Sequence, residues 1–273
     1  MFKLLLLSSA LLLSAPILAT PQATADASGI AVSLDQVLRG TWRDPANVAR
    51  DQYRHPKQTL EFFGLTPHMT VVQLWPGGGW YTEILAPLLG DHGQLIDAAV
   101  PAKGDSESDG TVKYLAKLKA DPEVYGKVKV VDFSPPAMLD LGPDGSADMV
   151  LTFRNLHNWQ ARSQLGNVFQ AAFKVLKHGG VLGVVEHRAA PGKRVGQVFK
   201  TGYMPEDYVI EEVEKVGFRL VGQSGINANP RDTRDYPRGV WTLPPTYAEG
   251  DKHHAKYQAI GESDRMTLKF VKP

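Results

Sequence analysis

The sequence predicts a doubly wound α/β domain: a mostly parallel sheet with an antiparallel edge strand. Three observations carry this. Short apolar runs alternate with segments of helical apolar spacing from Val71 onward. The stretch "VVQLWPGGGWYTEIL", Val71 to Leu85, reads as strand, tight loop and helix, the opening unit of such a sheet. The last two apolar runs, 218–224 and 265–273, have no helical pattern between them and so pair as an antiparallel hairpin with a long excursion. Alternating strands and helices imply parallel strands with helices on both faces.

The elements follow in order. "SLDQVLRG" reads as a short helix capped by Ser33 and ended by Gly40. Asp44-Pro45 is an N-cap with an N1 proline, and Pro56 restarts a helix in which Leu60, Phe63 and Leu65 can face inward. Strand 71–75 leads to a helix over about 80–89, strand 94–100 to a helix in "TVKYLAKLKA", and strands 127–133 and 148–153 come next. A helix over 161–177 carries the stripe Leu165, Val168, Phe169, Ala172, Phe173 and Leu176, and Gly179-Gly180 stops it before strand 181–187. "PEDYVIEEVEKVGF" is a helix with acids in its first turn. The organisation expected is a leader over 1–25, a helical cap over 26–66 and the sheet domain over 67–273, with an insertion at about 225–264.

Thirty basic and 29 acidic residues leave no basic surplus, which argues against nucleic acid as a partner. The absence of Cys removes disulfides, thiolate nucleophiles and Cys-ligated metals together. Lys3 precedes an apolar run from Leu4 to Ala19 that is short for a membrane span, with cleavage positions after Ala19 or Ala25. The expectation is a cleaved signal peptide, a periplasmic or secreted location and no stable membrane insertion afterwards; an uncleaved N-terminal anchor is the alternative. Oligomeric state is not legible.

In such a sheet the ligand sits beyond the carboxyl ends of the strands, so the loop Pro76-Gly77-Gly78-Gly79 is the first candidate. Residues without side chains let the backbone approach a ligand, and the helix that follows offers free N–H groups. No Gly-Lys-Ser/Thr follows, and Thr82 breaks a G-x-G-x-x-G. A plain strand–helix turn is the alternative.

"VVQLWPGGGWYTEIL", "SADMVLTFRNLHNW" and "FKVLKHGGVLGVVEHRA", in this order and spacing, resemble class I S-adenosylmethionine-dependent methyltransferases, which have a Rossmann-like fold. "RDQYRHPKQTLEFFGL" and "IGESDRMTLKF" resemble a group of bacterial predicted methyltransferases that often carry signal peptides. The resemblance covers roughly residues 40–273 and implies S-adenosylmethionine as cofactor and a small or aromatic molecule as methyl acceptor. The cofactor set it implies is Gln73, Trp75, Pro76, Gly77, Gly78, Gly79, Tyr81, Asp97, Asp132, Phe133, Arg154 and Asn155. Gly77 and Gly79 match two glycines of the family's first motif, while Gln73 stands in the place of its acid and Trp75 in that of its first glycine. The acid that grips the ribose falls at Ala99, with Asp97 two positions early. Asp132 matches a residue that reads the adenine amine, and Phe133 could stack on the base.

His157 in "FRNLHNW" and His187 in "VEH" are the candidate catalytic bases, with ordinary pKa values suited to neutral pH. Each reads equally as a structural histidine. Arg154, Asn155, Asn158 and Trp159 should rim the same pocket, and Arg54 or His55 in the cap could reach a ligand carboxylate. The only close histidine pair, His253-His254, lacks metal-ligand spacing, so no metal is expected. A second reading, favoured by Gln73 and Ala99, is a non-catalytic small-ligand-binding protein on the same fold.

Overall fold

The computed structural model describes residues 34–90, 92–104 and 109–273; the proposed leader lies outside them. Seven strands form one sheet: β1 (Thr70–Leu74), β2 (Gln94–Ala99), β3 (Lys129–Asp132), β4 (Ala147–Phe153), β5 (Leu176–His187), β6 (Arg219–Ser224) and β7 (Arg265–Val271). Their order is β3-β2-β1-β4-β5-β7-β6. Strands β1 to β5 are parallel, and β7 runs antiparallel to both β5 and β6. The expected antiparallel pair is therefore present, with β7 inserted inside β6.

Burial explains the strand sequences. β1 and β4 lie between parallel neighbours and under helices, so both faces are buried and mostly apolar. The edge strand β6 alternates exposed and half-buried residues. On one face, helices α1 (Pro45–Val48), α2 (Asp51–Arg54) and α3 (Pro56–Phe63) come before β1, and α4 (Thr82–Leu89) follows it. Leu60 and Phe63 of α3 pack with Val71, Ile84, Leu85 and Leu151. Each is fully buried, worth roughly 1.5–3 kcal/mol, so the cap is part of the folded core. Helices α5 (Gly110–Ala120) and α6 (Pro122–Tyr125) connect β2 to β3. The other face is covered chiefly by α7 (Leu156–Gln160), α8 (Leu165–Val175) and α10 (Glu206–Glu214), with α9 (Val195–Val198) between β5 and α10.

Three boundaries differ from expectation. The helix expected at 161–177 begins only at Leu165, apart from α7, which ends at Gln160, because Ser163 takes a left-handed φ of 55° and the Gln164 N–H folds back onto the Trp159 carbonyl at 2.9 Å. Gly179-Gly180 does not stop a helix: β5 already begins at Leu176, and the Gly179 N–H bonds Lys272 across the sheet. The excursion before β7 holds a short helix, α11 (His254–Ile260). No helix among the described residues is long and apolar enough to cross a membrane.

Beneath the first crossover lies a buried polar cluster. Asp97 of β2 accepts hydrogen bonds from the Tyr114 hydroxyl and, at 3.0 Å, from Thr82 Oγ1; Thr82 also meets Gln73 Oε1 at 3.2 Å. Burial pushes the Asp97 carboxyl up to about 7, with the bonds from Tyr114 and Thr82 acting against the rise. The folded protein therefore holds this proton more tightly than the unfolded chain, where an aspartate titrates near ~3.9. Its contribution to stability is full below about pH 4 and is lost as pH rises through about 7. We expect Asp97→Asn to gain stability relative to wild type between those limits, read as melting temperatures at pH 4 and pH 8; a constant difference would contradict this.

Candidate functional site

β1 and β4 are neighbours whose crossovers leave in opposite directions, so a cleft opens at their carboxyl ends. Each strand is followed by a residue in the left-handed region that is not glycine: Trp75 at φ 47° and Arg154 at φ 62°. Such conformations cost of order 1–3 kcal/mol each and persist where the surroundings fix them. Asn155 supplies part of that fixing, donating through Nδ2 to the Leu74 carbonyl at 3.0 Å and the Trp75 carbonyl at 3.3 Å. The two loops are thereby locked to one another.

The loop Trp75–Gly78 and Asn155 are shared by two cavities. The cap-side cavity, about 310 Å³, is also lined by Asn47, Arg50, Arg54, Gln73, Trp80, Tyr81, Phe153 and Arg154. The second, about 580 Å³, adds Ala99, Val100, Pro101, Lys103, Asp109, Gly110, Thr111, Lys113 and Tyr114. A Cβ on Gly77 or Gly78 would meet nothing within 4 Å, so both glycines present bare backbone to open space. Gly79 is different: with φ at 81° its Cβ would come within 3.0 Å of the Tyr114 ring. Its constraint is packing under the loop.

Most residues expected at the cofactor are thus brought together. Gln73, Trp75, Pro76, Gly77, Gly78, Tyr81, Arg154 and Asn155 all line the cleft. The Tyr81 ring stacks on Phe153 at 3.5 Å, and burial raises its hydroxyl well above the usual range. Trp75 reaches across the sheet: its indole N–H donates to the Phe133 carbonyl at 2.9 Å and its ring lies 4.9 Å from Trp159.

Three expected contacts need correction. Asp97 is fully buried in the cluster with Tyr114 and Thr82 and lines neither cavity, so no ribose grip comes from it. Phe133 is also fully buried, its ring packed edge-on to Trp159, so it cannot stack on a base in the cleft. Asp132 is exposed at the end of β3, outside both cavities. Between the cap candidates, Arg54 lines the cleft, whereas His55 does not.

The sequence reading missed Asp109. Its carboxylate caps α5, accepting from Thr111 N at 2.7 Å, Val112 N at 3.2 Å and Lys103 N at 3.2 Å. These backbone donors, Lys103 first, hold it below the usual carboxylate range. The Asp before a Gly-Thr-Val helix start was legible as an N-cap, but its place in the cleft was not.

Beyond Arg154, the two candidate bases converge. His157 is buried, with Nδ1 at 3.2 Å from Glu186 Oε1, and its ring lies 5.5 Å from that of His187. Glu186 Oε1 also accepts the His187 N–H at 2.7 Å, and Oε2 accepts the Leu156 N–H at 2.6 Å. Glu186 thus caps α7 and orients His157 together. His187 Nδ1 meets Ser263 Oγ at 2.5 Å. Burial holds the His187 imidazole well below its usual value, reinforced by His157, Arg154 and Arg265, so it is neutral at physiological pH. Trp159, expected at the pocket rim, is instead a core residue, and Trp241 lies edge-on to His157 at 5.8 Å. Ligand atoms of His157, Glu186 and His187 lie within 4.8 Å of one another, close enough to hold a metal ion. The sequence reading weighed only His253-His254 and did not see this group. With Glu186 engaged by two backbone N–H groups and an imidazole, the arrangement suits an oriented base.

No protein-family model matches the sequence, and no curated protein matches it. Solved structures do. A SAM-dependent methyltransferase from Aquifex aeolicus is similar at TM-score 0.56 and 16% identity, over 91% of this chain and 99% of that one. The [4+2]-cyclase SpnF is similar at TM-score 0.56 and 17% identity, over 86% and 85%. The 1,6-didemethyltoxoflavin-N1-methyltransferase of Burkholderia thailandensis, with bound 1,6-didemethyltoxoflavin and S-adenosylhomocysteine, is similar at TM-score 0.51 and 14% identity, over 95% and 93%. At these identities the likeness is one of architecture, and this chain has the fold of the class I S-adenosylmethionine-dependent methyltransferases.

Proposed function

We propose that the protein is an S-adenosylmethionine-dependent methyltransferase acting on a small-molecule acceptor. The observation that carries this is the bare Gly77-Gly78 backbone at the switch point, open to a cavity on either side. The cap-side cavity offers Arg54 to the carboxylate of the cofactor's methionine end. The larger cavity, with Ala99, Val100 and Lys103, takes the adenosine end, and Asp109 stands in for Asp97 as the acceptor of ribose hydroxyls.

When bound, S-adenosylmethionine supplies an electrophilic methyl carbon. The protein's part is to align the acceptor with it and to take up the proton the acceptor releases. The Nδ1 contact to Glu186 leaves His157 Nε2 as the lone-pair nitrogen, suited to that proton. His187, neutral and bonded through Nδ1 to Ser263, is a second acceptor beside it. Export is also proposed, resting on Lys3 and the apolar run Leu4 to Ala19 alone.

The second reading, a ligand-binding protein without methyl transfer, is favoured by Gln73 in the acid's place and by the withdrawal of Asp97 from the cleft. A fold alone does not choose, and one structural neighbour is named as a cyclase. Calorimetric titration with S-adenosylmethionine and S-adenosylhomocysteine separates them: micromolar binding of both is expected, and no binding by folded protein would leave the second reading.

Two substitutions locate the site. Gly78→Val adds a side chain where nothing stands in its way. It should weaken S-adenosylhomocysteine binding at least about tenfold, ~1.4 kcal/mol, with an unchanged melting temperature; intact binding would remove the loop from the site. His157→Ala should lower kcat by about 10²–10⁴-fold while cofactor affinity holds; equal losses in both would make His157 a binding or structural residue.

A further inference from the structure

The cap-side cavity carries more positive charge than its own residues neutralise. Arg50, Arg54 and Arg154 line it, and the charge of Arg265 also acts on Arg154. One carboxylate, Glu262, serves this group: it accepts from Arg50 Nε at 2.7 Å, Arg54 Nε at 3.0 Å and Arg265 Nη1 at 3.0 Å. Arg154 has no side-chain hydrogen bond or ion pair among the described residues. Desolvation in the cleft and the nearby Arg265 push its guanidinium down to about 10, against the pull of Glu262. It also stands on a left-handed backbone, at φ 62°. Arg154 is half-buried in the cleft, and Glu262 acts on it only at a distance, with no direct contact; on its strained backbone it is costly to hold.

The proposed cofactor does not supply the missing charge. S-adenosylmethionine carries one carboxylate against an ammonium and a sulfonium, so its net charge is positive. Its carboxylate can match one guanidinium, and its sulfonium adds to the repulsion on the others. Gln73 offers no compensating charge, although it stands where the resemblance places an acid.

We propose that this cavity recognises an anion on the methyl acceptor, a carboxylate or phosphate held by Arg154 and Arg50. The planar guanidinium fork suits both groups through paired N–H donors. A volume of about 310 Å³ admits a compact anionic group. Arg154 stands three residues before His157, and its charge is felt at His187. Neither imidazole lines the cavity itself, and Arg154 is the cavity residue whose charge reaches His187. The anion site rests on the charge count alone; its assignment to an acceptor rests on the methyltransferase reading.

The test uses inorganic phosphate as probe, titrated calorimetrically at low ionic strength with and without saturating S-adenosylhomocysteine. Wild type, Arg154→Gln and Arg154→Gly are compared. Glycine accepts the positive φ, so Arg154→Gly should melt no lower than wild type and keeps the test open if Arg154→Gln misfolds. Phosphate should bind wild type with a Kd of about 1 mM or tighter, at least about tenfold more weakly in both variants, and alongside S-adenosylhomocysteine. Phosphate binding that depends on Arg154 in a protein that binds no S-adenosylhomocysteine would support the anion site and end the methyltransferase reading. Competition between the two ligands, with the Arg154 variants losing both equally, would give the cation to the cofactor's carboxylate and overturn the proposal. Equal phosphate binding by wild type and variants, or none while S-adenosylhomocysteine binds, would overturn it too.

Discussion

Four consecutive residues entering β7, Glu262-Ser263-Asp264-Arg265, tie three parts of the chain to the carboxyl end of the sheet. Glu262 receives Arg50 and Arg54 from the cap and Arg265 from β7; Glu262, Arg54 and Arg265 are all but fully removed from water, and Arg50 is partly exposed. A buried carboxylate shared by several guanidinium groups stands only while all remain in place, since loss of a partner strands a charge. Ser263 bonds His187, and Asp264 bonds Arg188 at 2.9 Å and Arg234 at 2.5 Å. Through Arg234, and through the Asp264 N–H to Asp232 at 2.7 Å, the excursion between β6 and β7 is held against β5. Cap, imidazole pair and excursion therefore take their places from one short stretch.

That arrangement divides the labour of the site. On the cap side, guanidinium groups create a positive cavity under Trp80, which Arg54 faces at 4.8 Å from its ring. On the β5 side, Glu186 and Ser263 fix two imidazoles by their Nδ1 atoms and leave the other nitrogens without a protein partner among the described residues. Arg154 stands between the two. Burial first, then His157 and Arg154, lower the proton affinity of His187 and keep that ring neutral.

Two of the left-handed residues that are not glycine lie at the same place. Trp75 and Arg154 are the residues that follow β1 and β4, and both are left-handed without being glycine. Trp75 is compensated by its indole bond to Phe133 and by packing on Trp159. Arg154 is held through its backbone, its N–H donating to the Val185 carbonyl at 2.7 Å, while its side chain makes no hydrogen bond among the described residues. The buried Asp97 is a parallel case, a carboxyl kept beneath the loop where its proton is retained up to about pH 7.

The sequence by itself determined the sheet, because strand and helix periods are local and every strand was visible as an apolar run. It also located the bare loop, since Gly77-Gly78 between a strand and a helix leaves little else to build there. Tertiary structure decided which side chains reach that loop. Asp97 looked like a ligand by its place on β2, yet Tyr114, seventeen residues on, draws it under the sheet. Phe133 looked available, yet Trp159 and Trp75 enclose it. The guanidinium cluster drew on positions 50, 54, 154, 262 and 265, and nothing at residue 50 announces a partner 212 positions away. Periodicity records which face a residue takes; which groups meet there depends on how distant elements pack, and only the folded chain fixes that.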